Sequence, residues 1–429
     1  MNLRSVLVVV HRWCGLFLAL FLTVAGLTGA IISWDHELDA WLNPKLYQSQ
    51  SGATAAVIPA LELANRLEQD ARLRVAYLAL TSEPGEALLL AVEGRLHPET
   101  QRAVPLDFDQ VALDPSTGAV QGSRKWGVAS LSRENLLPFL YKLHFSLHIP
   151  DRAGLEIGKL FMGFVACVWV IDVCVALWIS FPNRKSWRKS LSFRFGQGRQ
   201  KLNFDLHRSG GVWLWGLLLI VAVTSVSMAL RREVTAPLVS LISPLTPRPF
   251  DLRVPTPGDQ PIEPTITRER AVSLAEQRAR QLGITAPAGG VAYAANHGLY
   301  AVGFFEHGRS HGDGGLGNPW LYFDATTGSY AGAEIPGRGS AGDIFMQAQF
   351  PLHSGRILGV PGRISISLLG LAIAGLSVTG IIIWAQRRRA RSLASRAQDA
   401  ARTRADLPRA EESLGYSRPF STDTWENHT

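Results

Sequence analysis

Four stretches of this sequence, Trp13–Ser33, Ile157–Phe181, Gly210–Leu230 and Ile364–Trp384, are long and nearly free of charge. Each has about the 20 residues that a helix rising 1.5 Å per residue needs to cross roughly 30 Å of hydrocarbon. Buried helices of soluble proteins are usually shorter, so the chain is expected to form a bundle of four membrane-spanning helices. The first stretch has basic residues ahead of it and small residues at Gly26–Ala30, as a cleaved leader would. It is nevertheless longer than the usual apolar region of roughly 7–15 residues. Trp34 and Trp41 follow it like an interfacial belt.

Charge sets the expected orientation. Between the second and third stretches stand Arg184, Lys185, Arg188, Lys189, Arg194, Arg199, Lys201 and Arg208 against the single acid Asp205, and the fourth ends in Arg387, Arg388 and Arg389. Short basic loops stay in the cytoplasm, which places both termini inside and two long insertions outside, in a bacterial periplasm. The boundaries read as a cytoplasmic start over 1–12, spans over 13–33, 154–181, 209–230 and 361–385, outer insertions over 34–153 and 231–360, a basic cytoplasmic loop over 182–208 and a disordered tail over 386–429. The net charge of +8 belongs to arginines flanking the spans; with no other signature it does not point to nucleic acid. Cys14, Cys167 and Cys174 lie in or beside spans, so no disulfide framework supports the insertions.

The halves echo one another. Each insertion opens on an amphipathic helical pattern, Ala60–Arg72 or Arg268–Leu282, followed by strand-like runs, Val75–Leu80 and Ala87–Val92 in the first and Gly290–Ala294 and Leu299–Phe305 in the second. Each then reaches an acidic turn, Asp114-Pro-Ser-Thr-Gly118 or Asp324-Ala-Thr-Thr-Gly328. Asp accepts backbone hydrogen bonds there and Gly tolerates a positive φ. His11-Arg12-x-x-Gly15 opens the first span and His207-Arg208-x-x-Gly211 the third; Leu143-His144 precedes the second and Leu352-His353 the fourth. The fold class expected is therefore a membrane α-helical bundle of four spans from a tandem repeat, with two α+β insertions.

His11, His207, His144 and His353 fall in two pairs at opposite edges of the bilayer, one residue of each pair from each half. A neutral imidazole near the end of a buried helix is a ready axial ligand for haem iron. The lack of a Cys-x-x-Cys-His site means any haem is held non-covalently. Gly15, Gly26, Gly29, Gly210 and Gly211 leave room for a flat ring, or simply let membrane helices pack closely. His148, four residues beyond His144, is an alternative outer ligand. Arg12, Arg208, Arg356 and Arg363 are candidates for haem propionates, or anchors at headgroups. Asp172 is an ionisable group deep in a span, expected to make a structural hydrogen bond. The glycine-rich loop carrying His307, His311 and Asp313 could bind a metal or cover a substrate.

These His-Arg-x-x-Gly starts, the Asp-Pro-x-Thr-Gly turn, Leu143-His144-Phe-Ser-Leu-His148 and Pro351-Leu-His-Ser-Gly-Arg-Ile-Leu-Gly-Val-Pro-Gly-Arg363 resemble the PepSY-associated transmembrane family, from His11 to about Arg389. Within it the chain is similar to iron-regulated inner-membrane proteins that reduce ferric siderophores. The resemblance implies four helices, two periplasmic PepSY-type modules and two haem b groups held by histidines. It also implies a ferric siderophore as substrate and a cytoplasmic or quinol electron donor on another molecule. A second reading is a haem-free membrane protein that binds or regulates a periplasmic protease or peptide partner. A transporter of the chelate is disfavoured by the few spans and sparse intramembrane polar residues.

Overall fold

The computed structural model describes residues 2–405 apart from Ala153 and His311. The first half runs α1 (Leu3–Ile32), α2 (Asp35–Leu42), α3 (Pro44–Tyr47), α4 (Ala60–Leu67), β1 (Leu73–Ala79), β2 (Leu88–Gly94), β3 (Gln110–Leu113), β4 (Val120–Arg124), α5 (Leu136–Ser146), α6 (Ile157–Ser180) and α7 (Trp187–Leu191). It continues through α8 (Arg199–Ala229), α9 (Ala236–Ser240), α10 (Arg268–Leu282), β5 (Ala288–Ala294), β6 (Leu299–Phe304), β7 (Trp320–Asp324), β8 (Tyr330–Glu334), α11 (Ala341–Ser354) and α12 (Val360–Ala405). The chain up to Ile381 forms one compact unit, and from Ile382 a second begins.

Helices α1, α6, α8 and α12 are long and apolar enough to cross a membrane. Two of them begin well ahead of their apolar windows. Helix α1 starts at Leu3, where the Asn2 side chain accepts a hydrogen bond from the Ser5 amide at 2.9 Å. Helix α8 starts at Arg199. Arg, Lys, Gln and Leu are good helix formers, so the helices extend past the apolar windows. His11 and His207 consequently sit inside helices rather than ahead of them.

Leu18, Val165, Trp169, Val173, Leu218, Ala222, Leu369 and Ile373 fill the centre of the bundle. Helix α6 packs on both α1 and α8, while α5 lies against α1 and α11 against α8. Gly26 of α1 faces Gly370 of α12 so closely that a Cβ on Gly26 would stand 2.5 Å from the Gly370 carbonyl oxygen. Close approach through small residues is how membrane helices associate when lipid removes the hydrophobic drive. Gly26→Val is expected to cost about 1–3 kcal/mol, the range for overpacking a filled interface. Thermal unfolding in detergent checks this; an unchanged midpoint would refute the contact.

The insertions do not stand as two separate modules, as the sequence suggested. Their strands form one eight-stranded sheet in the order β4-β3-β2-β1-β5-β6-β7-β8. The join is antiparallel pairing of β1 with β5, with Tyr77 opposite Ala292, Leu78 opposite Val291 and Ala79 opposite Gly290. Two exposed edges thereby satisfy each other's backbone groups. Helices α4 and α10 bring Leu63, Ala64, Ala271, Ala275 and Ala279 to the sheet core of Leu78, Leu90, Val111, Val302 and Leu321. Arg268 of α10 binds Glu68 at 2.7 Å, tying the insertions together again.

Both acidic turns fold as their sequences imply. Asp114 Oδ1 accepts from the amides of Ser116 and Thr117 at 3.0 and 3.1 Å, and Asp324 Oδ1 from those of Thr326 and Thr327 at 2.9 and 2.7 Å. Gly118 and Gly328 both take φ of 75°, a conformation glycine adopts without steric cost.

In the second unit, α12 continues as a helix to Ala405, exposed over 385–402, with Arg388 stacked over Trp384. This corrects the expectation of disorder from residue 386. The segment is rich in Arg and Ala, which favour helix even without a packed face. The remainder of that expected tail lies outside the described residues.

Candidate functional site

Two histidine pairs form inside the bundle. At the end where α1 and α8 begin, here the loop end, His11 and His207 face each other with ring centroids 6.1 Å apart and planes inclined by 42°. At the insertion end, where α6 and α12 begin, His144 of α5 and His353 of α11 have centroids 6.1 Å apart and planes inclined by 64°. A metal bonded at about 2 Å to one nitrogen of each of two imidazoles on opposite sides puts their centroids roughly 6 Å apart. Both pairs have that separation.

Hydrogen bonding orients each ring. His11 Nδ1 lies 2.9 Å from Asp172 Oδ1 on α6. His207 Nδ1 lies 2.9 Å from the Leu376 carbonyl and 3.2 Å from Thr379 Oγ1. His144 Nδ1 is 3.0 Å from the Ala25 carbonyl and 3.1 Å from Thr28 Oγ1, and His353 Nδ1 is 3.1 Å from Thr224 Oγ1. Thr28, Thr224 and Thr379 each donate their own hydroxyl to a carbonyl one turn earlier, at 2.7, 2.9 and 2.9 Å. They therefore offer the imidazoles a lone pair. Carboxylates and carbonyls only accept, so Nδ1 carries the proton and Nε2 the lone pair. Among the described residues no hydrogen bond reaches any of the four Nε2 atoms. Metal-binding histidines share this arrangement, with the second nitrogen donating to a carboxylate or carbonyl.

Burial lowers the His144 pKa below the ordinary imidazole value. Burial, and after it the neighbouring His144, brings His353 down to about 4. Both rings are neutral at neutral pH, the form that binds metal.

The glycines divide in function. A Cβ on Gly29 would stand 3.0 Å from His144 Cε1, and one on Gly380 3.0 Å from His207 Cε1, so these two let an imidazole lie against a helix backbone. Gly15 and Gly211 follow His11 and His207 by one turn, and a Cβ there would meet nothing within 4 Å. Gly210 has only Leu376 nearby, at 3.8 Å, whereas Gly26 is spent on helix packing. Open space beside both loop-end histidines suits a flat ring. The buried Nε atoms of Arg12 and Arg208 have no hydrogen-bond partner, although Arg208 also donates to the Lys189 carbonyl and lies 3.6 Å from Asp205.

Several expected site residues lie elsewhere. His148 is not on the helical face of His144, because α5 ends at Ser146 and Leu147 and His148 both take positive φ, 53° and 56°. It turns back to stack on Phe139 at 4.6 Å, with Nε2 2.9 Å from the Phe139 carbonyl. The two insertion-end arginines are engaged by protein carboxylates rather than open to a propionate. Arg356 binds Asp313 at 2.7 Å and Asp35 at 3.6 Å; Arg363 binds Glu37 at 2.7 Å and stacks over Trp34 at 4.3 Å. The glycine-rich loop does not gather its residues into one cluster. His307 approaches Glu86 at 3.1 Å and Glu83 at 3.7 Å, three groups able to share a cation, while Asp313 goes to Arg356. His311 lies outside the described residues.

The threonines that orient three of the imidazoles were not singled out from the sequence. Their signal was available: Thr28 and Thr224 are polar side chains within apolar spans, and both are buried.

Four spanning helices joined to one antiparallel sheet, with part-buried imidazoles paired at both ends, define a multi-span helical membrane protein. The chain belongs to the family described as PepSY-associated TM region, which matches residues 8–387. No curated relative matches it.

Proposed function

We propose that the chain is an inner-membrane haem b oxidoreductase that reduces a ferric siderophore on the periplasmic side, with both termini in the cytoplasm. The observation that carries this reading is the repeated imidazole geometry: four rings in two pairs, each with Nδ1 engaged and Nε2 free. His11 and His207 would hold one haem and His144 and His353 the other. Along α1, His11 precedes Ala25 and Gly29, the residues touching His144, by 14 to 18 residues, or about 21–27 Å of helix. The pairs thus span most of the roughly 30 Å hydrocarbon core. Haem b bound at both would supply one-electron chemistry on each face of the bilayer.

The chain's own groups do the rest. Asp172, Thr28, Thr224 and Thr379 hold the imidazoles in one tautomer and orientation. The apolar core of Leu18, Trp169, Leu218 and Ile373 excludes water between the two sites. Arg12 and Arg208 would supply positive charge to the anionic propionates, Arg208 while also 3.6 Å from Asp205. The electron donor is a cytoplasmic or membrane-pool reductant. Reduction releases the metal because hard oxygen ligands hold Fe(III) far more strongly than Fe(II).

Protein purified in detergent is expected to be red, with a bis-histidine absorption spectrum and two haems per chain by pyridine haemochrome assay. After chemical reduction, adding a ferric hydroxamate chelate should reoxidise it and yield Fe(II) to a ferrous-specific trap. Colourless protein with intact fold would overturn the reading in favour of a haem-free partner-binding role.

A further inference from the structure

The four imidazoles differ in one respect. Three give Nδ1–H to neutral acceptors: the Leu376 carbonyl and Thr379 hydroxyl for His207, the Ala25 carbonyl and Thr28 hydroxyl for His144, and the Thr224 hydroxyl for His353. His11 alone gives it to a carboxylate, Asp172, at 2.9 Å. Asp172 is 7% exposed, and among the described residues no Lys or Arg forms an ion pair with it; its one ion-pair partner is His11. The other acid at this end, Asp205, is by contrast paired with both Arg194 and Arg208. A carboxylate thus stands behind one imidazole of the loop-end pair, and among the described residues no carboxylate hydrogen-bonds either imidazole of the insertion-end pair.

We propose that Asp172 is a positioning residue that gives the His11/His207 site a lower reduction potential than the His144/His353 site, so that electrons run downhill toward the insertion end. This rests on the reading of both pairs as haem ligands. The physical reason has two parts. A carboxylate accepting from Nδ1–H makes the imidazole a stronger donor at Nε2, which favours ferric over ferrous iron. A fixed negative charge in the low-dielectric bundle also favours the oxidised centre, which carries one more positive charge, and is little screened there. Neutral carbonyl and hydroxyl acceptors do neither to the same degree. The fold thereby builds direction into a path whose two ends otherwise have similar ligands.

The test is an optical redox titration of the purified protein as it assembles in the cell. Wild type is expected to titrate in two resolved waves. Asp172→Asn, which keeps an acceptor oxygen but removes the charge, should move the lower wave upward, leave the upper wave in place and retain two haems. Asp172→Glu should stay close to wild type. With both haems bound, an unmoved lower wave or a shift confined to the upper wave would overturn the inference. If Asp172→Asn does not retain haem, His353→Ala decides: its remaining haem must titrate with the lower wave, and retention of the upper wave refutes the assignment. Wild-type protein without haem would instead sink the proposed function, a separate outcome.

Discussion

His353→Ala is expected to carry one haem per chain in place of two and to lose ferric-chelate reduction by at least about 100-fold. Removing only a hydrogen-bond partner of a metal-bound histidine typically costs about 10–100-fold in metal affinity or activity; removing the ligand itself should cost no less. His144→Ala should do the same, because the two rings face one another at 6.1 Å. His148→Ala should leave both haems bound, since that ring is stacked on Phe139 and bonded to its carbonyl. Haem quantitation and the spectrum of the remaining centre make the measurement. Loss of haem in His148→Ala with retention in His144→Ala would reverse the assignment. Because the loop-end pair lies at the far end of the bundle, its spectrum should survive in all three variants.

Arg124→Ala is expected to destabilise the protein by about 3–5 kcal/mol, the cost of stranding a buried partner charge. The Arg124 and Asp39 side chains are 3% and 6% exposed and meet at 2.6 Å. Asp39 also accepts from Asn43 Nδ2 and the Tyr47 hydroxyl, each at 2.7 Å, while Arg124 donates to the Glu134 carbonyl at 2.9 Å and to Gln110 Oε1 at 2.6 Å. The network links α2, α3 and β4 to the segment that starts α5, the helix carrying His144. Thermal unfolding should therefore show a lowered midpoint and, on the way, early loss of the insertion-end haem. The double substitution Asp39→Leu with Arg124→Met removes both charges and should recover much of the loss. A double variant no better than the single one would show that the pair's worth is not electrostatic.

How far the sequence could be read depended on whether a feature was local. The spans were legible because crossing hydrocarbon demands about 20 apolar residues in a row. The turns at Asp114 and Asp324 were legible because their side chains bond amides two and three residues on. Helix α10 was legible end to end, with Thr267 capping its start and Gly283 its finish. The placing of His148 failed for an equally local reason that residue identity conceals: Leu147, a poor candidate for positive φ, adopts it and ends the helix.

What the sequence determined by itself was the four-span chain and the presence of four histidines near span ends, since hydrophobic length and motif recurrence are properties of the chain alone. Tertiary structure decided which groups meet: β1 with β5 across two intervening spans, Asp172 with His11 across 161 residues, and Arg356 and Arg363 with acids rather than with open space. Those choices rest on edge pairing, burial of charge and helix contact. Each is a free-energy difference between partners far apart in the chain, and only their spatial arrangement sets it.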